Sequence, residues 1–136
     1  MNFGDCEFIT QRRKIVLEEN RRKIMIRNPR EERIRRILVD GCAISVGKRC
    51  DYLLIGPDNS EYFIELKGCH IQHAISQLET TIKQLGAKTK HINRCSIIIS
   101  SRCPLITPKI QQLTLYFKRK LMSSLIIKCN YLEVNI

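Results

Sequence analysis

The 136-residue chain is 43% hydrophobic and 27% charged, enough apolar material for one core, and a single domain over residues 1–136 is the expected organisation. Its 24 Lys and Arg against 13 Asp and Glu give a formal charge of +11, which attracts polyanions and points to a nucleic acid or an anionic surface as partner. No apolar run approaches the roughly 18 residues of a spanning helix, and Met1 to Thr10 lacks the apolar segment of a secretory signal.

Seven Cys are scattered without a CxxC pair, which supports neither a zinc ribbon nor a disulfide framework. No membrane association and a reducing, cytoplasmic setting are therefore expected.

The first third is strongly basic, with eleven Lys or Arg and four Glu between Arg12 and Arg36. Thr10 to Asn20 reads as a helix containing Ile15, Glu18 and Glu19. At Asn28-Pro29 with Glu31 and Glu32 a helix start competes with a strand. We read a strand over 33–39, because Ile37-Leu38-Val39 runs into the turn pair Asp40-Gly41.

Cys50–Ile55 and Glu61–Lys67 are strand-like runs joined by the turn residues Gly56-Pro57-Asp58-Asn59-Ser60, which makes a hairpin. From Ile71 onward, apolar positions 71, 74, 75, 78, 82 and 85 have helical spacing, with Gly86 as a stop. Cys95–Ser100 reads as a buried strand. Thr107-Pro108 opens a second helix, and Leu125–Cys129 with Tyr131–Val134 closes the chain as strand. These elements predict an α/β protein whose sheet contains a central antiparallel hairpin and is flanked by helices.

The chemistry lies on the hairpin. Asp51 and Glu65 are equidistant from a turn centred near Asp58, so an antiparallel register makes them neighbours on one face, about 5 Å apart at Cβ. Lys67 follows Glu65 by two residues and, by strict alternation, projects from the same face. Leu53 and Phe63 pair beneath them as an apolar floor. Such charges at strand ends ordinarily form solvated ion pairs of little worth. Glu65 differs because Ile64 and Leu66 make its strand apolar, and a half-buried carboxylate needs a reason. Paired carboxylates with an adjacent cation suit phosphodiester hydrolysis, which needs a held metal and a positioned water.

CDYLLI, then FIELKG, then a helix of the form HxxHAxxQL, resembles the PD-(D/E)XK nuclease superfamily, to which restriction endonucleases and Holliday-junction resolvases belong. The match spans about Arg33 to Ser100. It is also similar to small nuclease-like proteins of bacterial mobile elements and defence loci. Cys50 stands where the usual Pro precedes the aspartate.

The resemblance implies a restriction endonuclease-like central mixed β-sheet flanked by helices, and Mg²⁺ (Mn²⁺ as substitute) held by Asp51, Glu65 and the Leu66 carbonyl. It assigns Lys67 to the attacking water. A supporting Glu from the first helix would be Glu18 or Glu19, with Glu32 as runner-up, and Gln77 is a further supporting candidate. The basic residues Arg12, Arg13, Arg33, Arg35 and Arg36 are the expected phosphate contacts.

The implied function is Mg²⁺-dependent DNA endonuclease activity, as a homodimer or as a subunit of a larger complex. The alternatives are a non-catalytic nucleic-acid-binding subunit and a junction or RNA nuclease. Zinc held by Cys69, His70, His73 and Cys95 or Cys103 is the weaker metal reading.

Overall fold

The computed structural model describes residues 2–68, 70–89, 92–102 and 107–136, with Lys67 and Gly68 as backbone only. Nine strands and two α-helices form among the described residues: β1 (Glu7–Thr10), β2 (Lys14–Glu19), β3 (Arg22–Arg27), β4 (Ile34–Leu38), β5 (Tyr52–Ile55), β6 (Glu61–Gly68), α1 (Ile71–Leu85), β7 (Arg94–Ser100), α2 (Pro108–Lys120), β8 (Ser124–Cys129) and β9 (Tyr131–Asn135). A mixed six-stranded sheet runs β1-β4-β5-β6-β7-β8, and a smaller sheet runs β2-β3-β9. The strands from β1 to β6 pair antiparallel, whereas β6-β7 and β7-β8 are parallel. Parallel neighbours need long crossovers, which α1 and α2 supply.

Alternation along the large sheet splits the interior in two. Ile37, Leu53, Phe63 and Ile98 point to the helix side and pack with Ala74, Leu78 and Ile82 of α1 and Phe117 of α2. Ile34, Leu54, Ile64 and Ile97 point to the other side and pack with Ile15, Leu17, Ile24 and Ile26 of the small sheet. The molecule therefore has three layers, with helices on one face of the sheet. The expected flanking by helices is corrected in one respect: the helices cover one face, and a second sheet covers the other.

That correction has a local origin. The expected helix over Thr10 to Asn20 is β2, paired antiparallel with β3 through a two-residue turn at Asn20 and Arg21, whose φ values are 47° and 68°. This is the primed-turn geometry that suits the twist of a hairpin, and Asn supplies it readily. Lys14, Val16 and Glu18 face outward while Ile15 and Leu17 are buried, a period of two. Asn28 starts no helix. Its side chain bonds the backbone of Arg12 and Glu32 and ties the end of β3 to the approach to β4.

The remaining predicted elements form close to where they were read. Thr107 caps α2 by accepting from the Ile110 amide at 3.3 Å. Gly86 ends α1, but not by a left-handed conformation. A Cβ there would lie 2.5 Å from the Ile82 carbonyl oxygen and 2.9 Å from Arg94 Nη2. Gly86→Ala is therefore expected to destabilise the fold by about 1–3 kcal/mol through overpacking, read as a lower urea midpoint with unchanged slope. A midpoint equal to the parent's would show that the α1 terminus yields without cost.

Cys6 and Cys42 are joined in a disulfide with Cα atoms 5.7 Å apart. This corrects the expectation of no disulfide: sequence spacing alone did not reveal that the β1–β4 pairing brings the two together. The bond ties the segment before β1 to the turn that carries Asp40.

Candidate functional site

The hairpin register is Leu53 opposite Phe63 and Tyr52 opposite Ile64, and it ends there, one residue short of Asp51 and Glu65. Asp51 stands just outside β5, and its amide bonds the Ile64 carbonyl at 3.1 Å. Its Oδ2 accepts from the Leu66 amide at 2.7 Å. Asp51 is 5% exposed and Glu65 is 0% exposed. Both carboxylates lie close enough to Cys50 to push its thiol upward, although burial is the larger cause. Cys50 is thus a neutral buried thiol, and its amide is held by Thr81 Oγ1 at 2.8 Å.

The strand breaks its alternation just past Glu65. Glu65 faces Ile98 and Gly68 faces Ser100, so Leu66 and Lys67 together oppose Ile99. Such a bulge re-aims side chains and is common beside active sites. The argument that alternation brings Lys67 to the face of Glu65 does not carry across it. The Lys67 side chain lies outside the described residues.

Asp51 opens onto a hollow of about 210 Å³ that is also lined by Glu18, Glu19, Leu38, Asp40 and Tyr52. Glu18 and Glu19 thus reach the rim of the hairpin from β2, a strand and not a helix, while Glu32 is not among the lining residues. Asp40 is paired with Arg49 at 2.7 Å. Gln77 lines a separate hollow with Asp40, Arg49 and His73, and its carbonyl accepts from the same Thr81 hydroxyl that holds Cys50.

Sequence reasoning missed Arg22, whose Nη1 donates to the Leu66 carbonyl at 3.1 Å. That oxygen is the one expected to face a metal. A recognised β2-β3 hairpin could have found this residue, since Arg22 sits opposite Glu19 beside the turn.

The donor chemistry of the hollow fits a hard divalent cation, because its lining carboxylates offer oxygen only. Among the described residues no three Asp, Glu, His or Cys side chains gather around one point. Mg²⁺ tolerates this, being commonly held by one or two carboxylates with retained water and substrate phosphate. Two of the five residues considered for zinc, Cys69 and Cys103, lie outside the described residues.

The five expected phosphate-binding arginines do not share one surface. Arg35 and Arg36 are consecutive on β4 and face opposite sides. Arg35 grips Glu7 through Nε at 3.1 Å and Nη2 at 2.6 Å, and this bond draws the Glu7 carboxyl below its usual range. Arg13 lies 3.5 Å from Glu31, and Arg12 and Arg33 are exposed. Arg36 lies over the Tyr52 ring at 5.5 Å. Larger hollows exist elsewhere, one of about 580 Å³ at the opposite end of β6 beside Glu61 and Arg94. It lacks the carboxylate pair.

Comparison with protein-family models, with curated proteins and with solved structures finds no match.

Proposed function

We propose that the protein is a metal-dependent nuclease with a PD-(D/E)XK-type site on a restriction endonuclease-like variant of the mixed α/β sheet, acting on DNA. The observation that carries this reading is Asp51. It is held at the mouth of the β5-β6 hairpin by the amide of Leu66, the residue after the buried Glu65, and it opens onto a carboxylate-lined hollow.

Asp51 would hold Mg²⁺ or Mn²⁺ together with Glu18 or Glu19. When bound, the cation polarises the phosphate and acidifies a water. The Leu66 amide fixes the Asp51 rotamer, and Thr81 fixes the preceding Cys50 backbone, so the carboxylate is positioned before substrate arrives. Glu65 adds negative charge beneath Asp51, and we assign Lys67 to orienting the attacking water. One site cuts one strand, so double-strand cleavage calls for a homodimer. Nicking of supercoiled plasmid in Mg²⁺ and none in EDTA is the direct test. An RNA or branched-DNA substrate cut in preference to plasmid would move the substrate class and keep the chemistry.

The second reading is a non-catalytic nucleic-acid-binding subunit of a larger defence or repair complex. The Arg22 contact to the Leu66 carbonyl favours it, because a guanidinium occupies a position that metal chemistry would use. Inertness in both Mg²⁺ and Mn²⁺, with retained DNA affinity, would establish this alternative. Either activity fits the cytoplasm, where a disulfide such as Cys6–Cys42 is uncommon, so free-thiol counting on protein from cells belongs with the same experiment.

The division of the arginines makes a separate prediction. Arg36→Ala should lower the log–log salt slope of DNA affinity by about 0.9, the value for one lost duplex phosphate contact. Arg35→Ala should leave the slope alone and lower the melting temperature, since its guanidinium is engaged by Glu7. Equal slopes for parent and both variants would move the phosphate-binding face away from β4.

A further inference from the structure

On the small-sheet side of β1, β4 and β5, four side chains share one face. Phe8 is directly opposite Arg36, and Leu38 is directly opposite Tyr52. Arg36 is diagonal to Tyr52 and lies over its ring. Further along the same face, β2 and β3 cover Ile34, Leu54 and Ile64. Phe8, Arg36 and Leu38 are left outside that cover, Tyr52 packs at its edge, and the four line a hollow of about 310 Å³. Phe8 is 63% exposed and Leu38 is 37% exposed.

A single exposed apolar residue calls for no explanation. An aromatic ring, a leucine, a tyrosine and a guanidinium on one face are a different composition. Among the described residues no carboxylate pairs with Arg36. Leu38 and Tyr52 also line the hollow onto which Asp51 opens, so the two hollows adjoin.

We propose that this face is a stacking platform for an unpaired nucleobase of the strand whose phosphate lies at Asp51. The substrate class is therefore single-stranded or locally unpaired nucleic acid. The inference rests on the nuclease reading for the position of the phosphate, and the platform itself can be tested without catalysis.

Flat aromatic rings and guanidinium planes are what unstacked bases bind, through π-faces that every base carries. A paired duplex hides those faces. The Arg36 cation supplies the charge complementarity that an apolar protein partner would not need, and it accords with the net charge of +11. A base on this face would meet the Phe8 ring and the Arg36 plane as neighbours across one strand pair, and its backbone would run towards the carboxylates.

The experiment uses the absence of Trp from the chain. Phe8→Trp places one indole on the platform, to be titrated in EDTA with a short oligothymidine and with a mixed-sequence duplex of equal length. The single strand should quench the indole emission. Phe8→Ala should weaken single-strand affinity by about 5- to 150-fold, the equivalent of one lost base stack, and leave duplex affinity unchanged. Phe8→Leu, which keeps the apolar contact, should lose nearly as much and guards against a folding artefact.

Equal losses for both nucleic acids, unchanged single-strand affinity, or no quenching would overturn the proposal. So would a parent dimer that Phe8→Ala converts to monomer without affecting oligonucleotide affinity, because the face would then belong to a second copy. Plasmid nicking by the parent reads the carboxylates independently. Nicking with an inert platform sinks only the platform, and single-strand binding without nicking in Mg²⁺ or Mn²⁺ sinks only the catalytic reading.

Discussion

Asp51→Asn should reduce plasmid nicking by about 10²- to 10⁴-fold, the equivalent of the several kcal/mol that metal-assisted charge stabilisation contributes. The melting temperature should change little. Asn keeps an oxygen that can accept from the Leu66 amide, the bond that Asp51 Oδ2 makes at 2.7 Å, and loses the charge that would hold a cation. Asp51→Ala differs, because it leaves the Leu66 amide without its partner in a buried site, at a cost of about 1–3 kcal/mol.

The pair of variants separates catalysis from architecture. A catalytic Asp51 makes Asn inactive and stable, and Ala inactive and unstable. A purely structural Asp51 makes activity follow stability in both. Glu65→Gln adds a third readout. Glu65 is buried behind the hollow and does not line it, so removing its carboxylate should leave metal-free DNA affinity equal or slightly higher, through weaker repulsion of the phosphate at a distance. Weaker metal-free binding in Glu65→Gln, with full nicking by Asp51→Asn, would end the nuclease reading.

The largest stability effect is expected far from that chemistry. Arg94 is 9% exposed at its side chain and pairs with Glu61, itself 4% exposed, at 2.8 Å. Its Nη1 donates to the Leu121 carbonyl at 2.6 Å and its Nη2 to the Ala87 carbonyl at 2.7 Å, while Glu61 Oε2 accepts from the Ala87 amide at 3.0 Å. One guanidinium thus joins the start of β6, the exit of α1 and the end of α2.

Removing one member of a buried ion pair strands the other, which typically costs about 3–5 kcal/mol. Arg94→Ala should therefore lower the melting temperature by about 10–20 °C for a domain of this size. Arg94→Lys should rescue little, since an ammonium cannot reproduce the planar fork. Replacing both residues, as Glu61→Leu with Arg94→Met, should recover much of the loss because no charge is left stranded. A drop of only a degree or two in Arg94→Ala would show that water reaches Glu61 and that the pair is not sealed.

Local signals determined much of this architecture. The turn run from Gly56 to Ser60 between two apolar segments specifies the hairpin and, by counting outward, its register, and Leu53 does oppose Phe63. The spacing from Ile71 to Leu85 specifies α1, and Thr107-Pro108 specifies the start of α2. These features rest on periodicity and backbone preference, which short segments carry within themselves. That Asp51 lies near the Leu66 end of β6 was legible for the same reason.

What only the tertiary structure decided involves residues distant in the chain. The segment from Lys14 to Glu19 holds Ile, Val, Leu and two Glu, a composition compatible with either state. Its strand identity follows from pairing with β3 and from β9 returning from the far end of the sequence. The same pairing brings Glu18 and Glu19 to the hollow at Asp51 and sets Arg22 on the Leu66 carbonyl. The bulge after Glu65 depends on β7, so alternation within β6 could not foresee it. The basic first third looked like one patch because charge can be counted along a chain. Strand geometry divides it, because neighbours on β4 must face opposite sides of the sheet.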